Sequence, residues 1–109
     1  MKLEIPPEPV SVKESIRRGL DVHRELEIMN LKQGTWIASP LWSDMGWGRV
    51  LKREGLSWQS FMSIIRDHFP YFLDWVLGRM DWDEVMSRLV QRLEDEIEAL
   101  KKREGESMW

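Results

Sequence analysis

Gln59, Ser63 and Arg66 are polar residues whose side chains can hydrogen-bond to a ligand. On an α-helix these three positions lie within about 60° of one another. Glutamine can pair with adenine, arginine with guanine, and serine with either base. The pattern therefore predicts a helix face that hydrogen-bonds to the base edges of duplex DNA, with the neighbouring Ser60 as a fourth candidate.

The segment that precedes this face is basic. Residues 30–69 hold five basic and three acidic side chains, whereas residues 1–29 hold five and six and residues 70–109 hold six and ten. Arg49, Lys52 and Arg53 lie together within this basic segment. Because lysine and arginine neutralise DNA phosphates, we expect these three residues to contact the DNA backbone. A charge group of this size is also common on a solvated helix.

A corner between two helices is predicted to position these side chains. Gly55 follows "KRE", where a helix end favours a left-handed residue, and Ser57 is a good N-cap for a helix that runs to about His68. The apolar face of that helix, opposite the polar one, comprises Phe61, Ile64, Ile65 and His68.

This corner, residues 47–68, resembles the helix-turn-helix motif of DNA-binding domains. That family has a turn glycine, here Gly55, with apolar residues one, six and nine positions later, here Leu56, Phe61 and Ile64. Leu51 departs from the pattern, which favours a small residue four positions before the glycine. The resemblance implies that residues 58–67 enter the major groove while the preceding helix crosses the DNA backbone.

Two alternatives remain open for the same letters. "GLSWQSFMSII" is also similar to the turn and second helix of ribbon-helix-helix repressors, which read DNA as obligate dimers with paired strands. In that case "TWIAS", which ends before Pro40, would be the strand, and Thr35 and Ile37, or Trp36 and Ala38, would face the bases. The stretch also fits an ordinary corner in a helical bundle.

The sequence gives little indication of a catalytic site, a metal site or a phosphate-binding loop. The chain has no cysteine, and its two histidines, His23 and His68, have no neighbouring metal-ligand pattern. The carboxylates of Asp81, Asp83 and Glu84 are explained by a helix start, where acids favour the positive end of the helix dipole. No phosphate-binding loop, nucleophile elbow or catalytic carboxylate pair is present. We therefore expect no enzymatic activity, no metal site and no cofactor.

The last predicted helix, about residues 82–104, suggests self-association. It begins with a capping box of Asp81 and Glu84, and Gly105 is expected to end it. Its apolar surface narrows to Leu93, Ile97 and Leu100, and its length of about 35 Å exceeds the expected width of the domain. We therefore predict that these three residues join two copies in a homodimer. A solvated, charge-laced helix is the alternative.

The remaining segments complete the predicted architecture. Residues 1–10 are extended, Ser11 and Glu14 form a capping box for a helix that ends near Met29, and residues 105–109 form a frayed tail. Residues 35–39 form a short strand or a buried loop, and Pro70 begins a further helix. The expected fold of residues 11–104 is a single, mainly α-helical domain: a small bundle of four to five helices with a helix-turn-helix-like corner, a long C-terminal helix (82–104) and at most one short strand.

Composition narrows the cellular context. No apolar run approaches the roughly 20 residues of a membrane span, and acids and prolines occupy the N-terminus, so a cytoplasmic protein without membrane contact is expected. The sequence thus predicts sequence-specific binding to double-stranded DNA, as by a small dimeric transcriptional regulator. The alternative is an α-helical protein–protein interaction module or adaptor without nucleic-acid binding, which the net charge of −3 favours.

Overall fold

The computed structural model describes residues 3–107, and the side chains as far as residue 104. The helices within this range are α1 (Val10–Val22), α2 (Arg24–Gln33), α3 (Thr35–Trp42), α4 (Gly48–Arg53), α5 (Trp58–Asp67), α6 (Phe69–Val76) and α7 (Trp82–Ser107). No strand occurs between residues 3 and 107. The mainly α-helical class with a long last helix is therefore confirmed. The helices outnumber the four to five expected because the predicted helix of residues 11–29 is divided in two and residues 35–42 form an additional helix.

The division falls at His23, within the predicted helix of residues 11–29. His23 has φ −137° and ψ 66°, which ends α1, and α2 begins at the next residue. The start of α1 also differs from the prediction. It begins at Val10 without a side-chain cap, so the predicted capping box of Ser11 and Glu14 is wrong.

The additional helix, α3, begins directly after Gly34, which ends α2. The φ of Gly34, 77°, is the left-handed conformation that glycine adopts without steric cost. The predicted strand or buried loop at residues 35–39 is wrong, because these residues form the first part of α3, whose buried side chains are Ile37, Ala38 and Leu41. The ribbon-helix-helix resemblance requires a strand at this place and so loses its support.

The N-terminal segment, residues 3–9, lies outside the helices. Three indole N–H groups fasten it to the bundle. Trp47 Nε1 donates to the Glu4 carbonyl at 2.8 Å and Trp82 Nε1 donates to the Pro6 carbonyl at 2.8 Å. Trp75 Nε1 donates to the Glu8 carboxylate at 3.1 Å. These bonds satisfy the polar atoms of largely buried indoles, which would otherwise be costly to desolvate.

Helix α5 packs against three other helices. It contacts α3, α6 and α7, while α1 packs against α2 and α6. The largest fully buried side chains come from these helices and from α4, namely Leu51, Phe61, Ile65, Phe72, Trp75, Met86, Leu89 and Leu93. One contiguous apolar core thus surrounds the inner face of α5.

The second half of α7 packs on the chain itself. Leu93 and Ile97 are buried and Leu100 packs half-buried against the same core. Lys101 Nζ lies 3.2 Å from Glu54 Oε2, which places this part of α7 beside the end of α4. The interpretation of Leu93, Ile97 and Leu100 as a stripe that needs a partner helix is therefore corrected, because the chain covers these residues.

The end of α7 also differs from the prediction. The helix passes through Gly105 and continues to Ser107, so the glycine does not end it. Residues 108–109 of the predicted tail lie outside the described residues.

Truncating Leu93 should therefore destabilise the fold. We expect Leu93→Ala to lower the free energy of unfolding by about 2–5 kcal/mol, because it leaves a cavity in the core. The measurement is urea denaturation at low protein concentration. Met45→Ala is the control, since Met45 is fully exposed and its truncation should change the value by less than about 0.5 kcal/mol. Equal, small losses in both variants would contradict the core position of Leu93.

Candidate nucleic-acid interface

The corner between α4 and α5 is closed by backbone hydrogen bonds around Gly55. The residue has φ 90°, and its N–H donates to the Lys52 carbonyl at 3.0 Å. The Leu56 N–H donates to the Leu51 carbonyl at 3.0 Å, and both leucines are buried. This arrangement is a Schellman motif, in which a glycine ends one helix and an apolar contact fixes the direction of the next segment.

Ser57 caps α5, as predicted. Its Oγ accepts a hydrogen bond from the Ser60 backbone N–H at 3.1 Å and donates to the Ser60 hydroxyl, also at 3.1 Å. Ser60 is half-buried and engaged in this cap. The structure thus engages the Ser60 hydroxyl in the cap, about 100° around the helix from Gln59.

Helix α5 has two chemically distinct faces. The buried face comprises Phe61, Met62, Ile64 and Ile65. Gln59, Ser63 and Arg66 are all exposed on the opposite side. The structure therefore brings these three predicted residues to one outward face, which we call the polar face of α5.

Arg66 is held in place by the end of α2. Its Nε donates to the Gln33 carbonyl at 3.3 Å. The neighbouring Lys32 is also beside this region, with its Nζ 5.7 Å from the centre of the Phe69 ring. Sequence reasoning missed both contacts, because the left-handed turn at Gly34 that directs the chain here has no signature beyond a single glycine.

The predicted phosphate contacts, Arg49, Lys52 and Arg53, are all exposed on or beside α4. Arg49 Nε lies 3.8 Å from Asp44 Oδ1, and Lys52 Nζ lies 5.7 Å from the centre of the Trp42 ring. Exposed ion pairs contribute only about 0–1 kcal/mol, so these side chains can exchange such partners for a phosphate.

An aromatic pair joins the basic residues to the polar face of α5. Trp58, the first residue of α5, meets Trp42 edge-on with ring centres 5.6 Å apart. Trp58 remains partly exposed beside Gln59, while Trp42 lies under Lys52. The local sequence around Trp58 gives no sign that this tryptophan stays at the surface.

His68 links α5 to the two helices that follow it. It is buried, and its Nε2 lies 3.0 Å from the Val85 carbonyl in α7. Because a carbonyl oxygen only accepts, Nε2 carries the hydrogen. Burial lowers the pKa of His68 below its ordinary value, the Val85 hydrogen bond opposes this shift, and the positive charge of Arg88 adds to it.

Comparison of the chain with protein-family models, with curated proteins and with solved structures gave no match. Across residues 3–107, no helix combines the length and the apolar character needed to cross a membrane. Nor does the described part of the chain contain a group of three or more histidine, aspartate or glutamate side chains placed to bind a metal ion.

The lowered pKa of His68 gives the fold a defined pH dependence. Above the unfolded value of 6.5 the residue is neutral in both states, and its contribution to stability is complete. As the pH falls below 6.5, the unfolded chain takes up a proton that the folded chain resists, so this contribution is progressively lost. We therefore expect the free energy of unfolding to be lower at about pH 5.5 than at about pH 7.5.

The variants His68→Gln and His23→Gln isolate the responsible group. His68→Gln should reduce the pH-dependent loss, and His23→Gln is the control because His23 is exposed. Urea denaturation at the two pH values measures both. An unchanged loss in His68→Gln would mean that His68 does not cause it.

Proposed function

We propose that this protein binds double-stranded DNA in a sequence-specific manner, as a small cytoplasmic transcriptional regulator, with α5 as the recognition helix. One observation carries the proposal: the inner face of α5 is packed by α3, α6 and α7, while Gln59, Ser63 and Arg66 stand exposed on the outer face. A helix buried on one side and polar on the other can enter the major groove without exposing the core.

The contact at Arg66 supports base recognition. Its guanidinium has five N–H donors, and the bond to the Gln33 carbonyl uses one of them on Nε. The terminal nitrogens stay available for the two acceptors that guanine presents in the major groove. Because the Nε bond restrains the side chain, less conformational entropy is lost when Arg66 binds.

The positions of the basic residues support backbone contacts. In a helix-turn-helix domain the first helix crosses the DNA backbone. Here Arg49, Lys52 and Arg53 lie on α4 just before the corner, and the acidic Glu54 is paired with Lys101. These residues are therefore proposed to position α5 through phosphate contacts, which carry no sequence information themselves.

The proposal includes a homodimer, because two recognition helices would read half-sites about one DNA turn apart. Leu93 and Ile97 cannot form its interface while they remain in the core of one chain. The surface that joins the copies must therefore lie elsewhere.

A protein–protein interaction module without nucleic-acid binding is the second candidate function. It is favoured by the acidic balance of residues 70–109, which hold ten acidic and six basic side chains. A module of this kind would leave the polar face of α5 without a nucleic-acid ligand, so DNA-binding measurements separate the two functions.

We expect binding to duplex DNA with strong salt dependence, because each phosphate contact releases counterions. Fluorescence anisotropy with mixed genomic duplex fragments, from about 50 mM to about 200 mM salt, measures the affinity and its salt slope. Selection from random duplexes then supplies the preferred site. Absence of binding at low salt would contradict the proposed function and favour the interaction module.

Two alanine variants separate base recognition from phosphate binding. Arg66→Ala should weaken binding to the selected site by about 1–3 kcal/mol and relax its sequence preference. Lys52→Ala should weaken binding to all duplexes alike and reduce the salt slope by about one. Arg79→Ala is the matched control, since Arg79 is exposed after α6, away from the corner. Equal, sequence-independent losses in the first two variants would show that α5 does not read the bases.

A further inference from the structure

Helix α2 presents an apolar stripe that the rest of the chain leaves uncovered. Leu26 is 57% exposed and Met29 is 59% exposed, and Val22, at the end of α1, is 70% exposed. Leu26 and Met29 are three positions apart within α2, so they share one face of this helix, while Val22 lies on α1 before the break at His23. The opposite side of α2, with Glu27, Ile28 and Leu31, packs inward. Leu26 and Met29 thus form a second apolar surface on α2, separate from the side that faces the core.

The charged residues beside this stripe are complementary to the same residues of a second, antiparallel copy. Glu25 and Lys32 are seven residues apart, so both lie on the same flank of Leu26 and Met29. Both are exposed, and within the described part of the chain neither forms an ion pair. One flank of α2 thus carries an unpaired acid near its start and a base near its end.

We infer that a second copy of this chain docks on α2, with the two α2 helices antiparallel about a two-fold axis. In such a pair each flank of α2 lies beside the same flank of the other α2. Glu25 of each copy therefore faces Lys32 of the other copy, which gives two ion pairs. Leu26 and Met29 of both copies meet between these two ion pairs. A parallel arrangement would instead bring opposite flanks together and leave Glu25 and Lys32 unpaired.

This inference does not depend on DNA binding, but it affects the recognition helix. The carbonyl of Gln33, at the end of α2, receives the Arg66 hydrogen bond from α5. Contact between two α2 helices therefore fixes the helix ends that restrain both copies of Arg66. The dimer also takes the place of the one predicted through Leu93, Ile97 and Leu100, which belong to the core.

Sedimentation velocity of the full chain, without DNA, tests the inference from micromolar to millimolar protein. The wild type is expected to sediment as a dimer with a micromolar dissociation constant, and Leu26→Glu as a monomer. Met45→Glu is the control because it places the same charge at an exposed methionine outside α2. Circular dichroism should show unchanged helix content in both variants.

Charge reversal tests the antiparallel arrangement itself. Glu25→Lys and Lys32→Glu should each weaken dimerisation by about tenfold or more, because each places like charges opposite one another. The double variant Glu25→Lys/Lys32→Glu should restore it, since the same pairs re-form with exchanged signs. A monomeric wild type at millimolar concentration would overturn the inference. A dimer that persists in Leu26→Glu, or a double variant as weak as its single parents, would do so as well.

Discussion

The burial of one face of α5 is the constraint on which the rest of the structure depends. Phe61, Ile64 and Ile65 can leave water only if other helices surround that face, and α3, α6 and α7 do so. The long α7 packs against α5 and extends to the corner between α4 and α5, where Lys101 Nζ lies 3.2 Å from Glu54 Oε2. Because three helices occupy the inner side, the polar face is the side of α5 that remains for a ligand.

The corner at Gly55 fixes the positions of the exposed side chains of α4 relative to those of α5. The left-handed glycine ends α4, and the buried pair of Leu51 and Leu56 fixes the turn. Ser57 then begins α5 immediately. The basic residues of α4 and the polar residues of α5 thus occupy fixed positions relative to each other, as a ligand with alternating backbone and base contacts requires.

The sequence predicted the elements whose signals are local and strong. Gly55, Ser57 and the apolar period of α5 each act within a few residues, and the structure confirms the helix end, the cap and the buried face. Residues 35–39 were wrongly predicted because α3 is only eight residues long and contains Pro40, so its helical period is too short to recognise.

The long-range packing of α7 could not be predicted from the sequence. The prediction for α7 rested on a helix longer than the domain is wide, but the described chain extends 56 Å along its longest axis and 24 and 23 Å along the others. In an elongated molecule a long helix finds partners over most of its length. Leu93 and Ile97 are therefore core residues, and the exposed apolar stripe lies on α2 instead.

An NMR titration of the isotopically labelled protein with its selected duplex tests most directly whether the polar face of α5 contacts duplex DNA. We expect the largest shifts on the backbone amides of residues 49–66 and on the Arg66 side-chain N–H groups. Residues 82–104 of α7, which pack behind α5, should change little. Shifts confined to α7, or no shifts at saturating DNA, would contradict the assignment of α5 as the recognition helix.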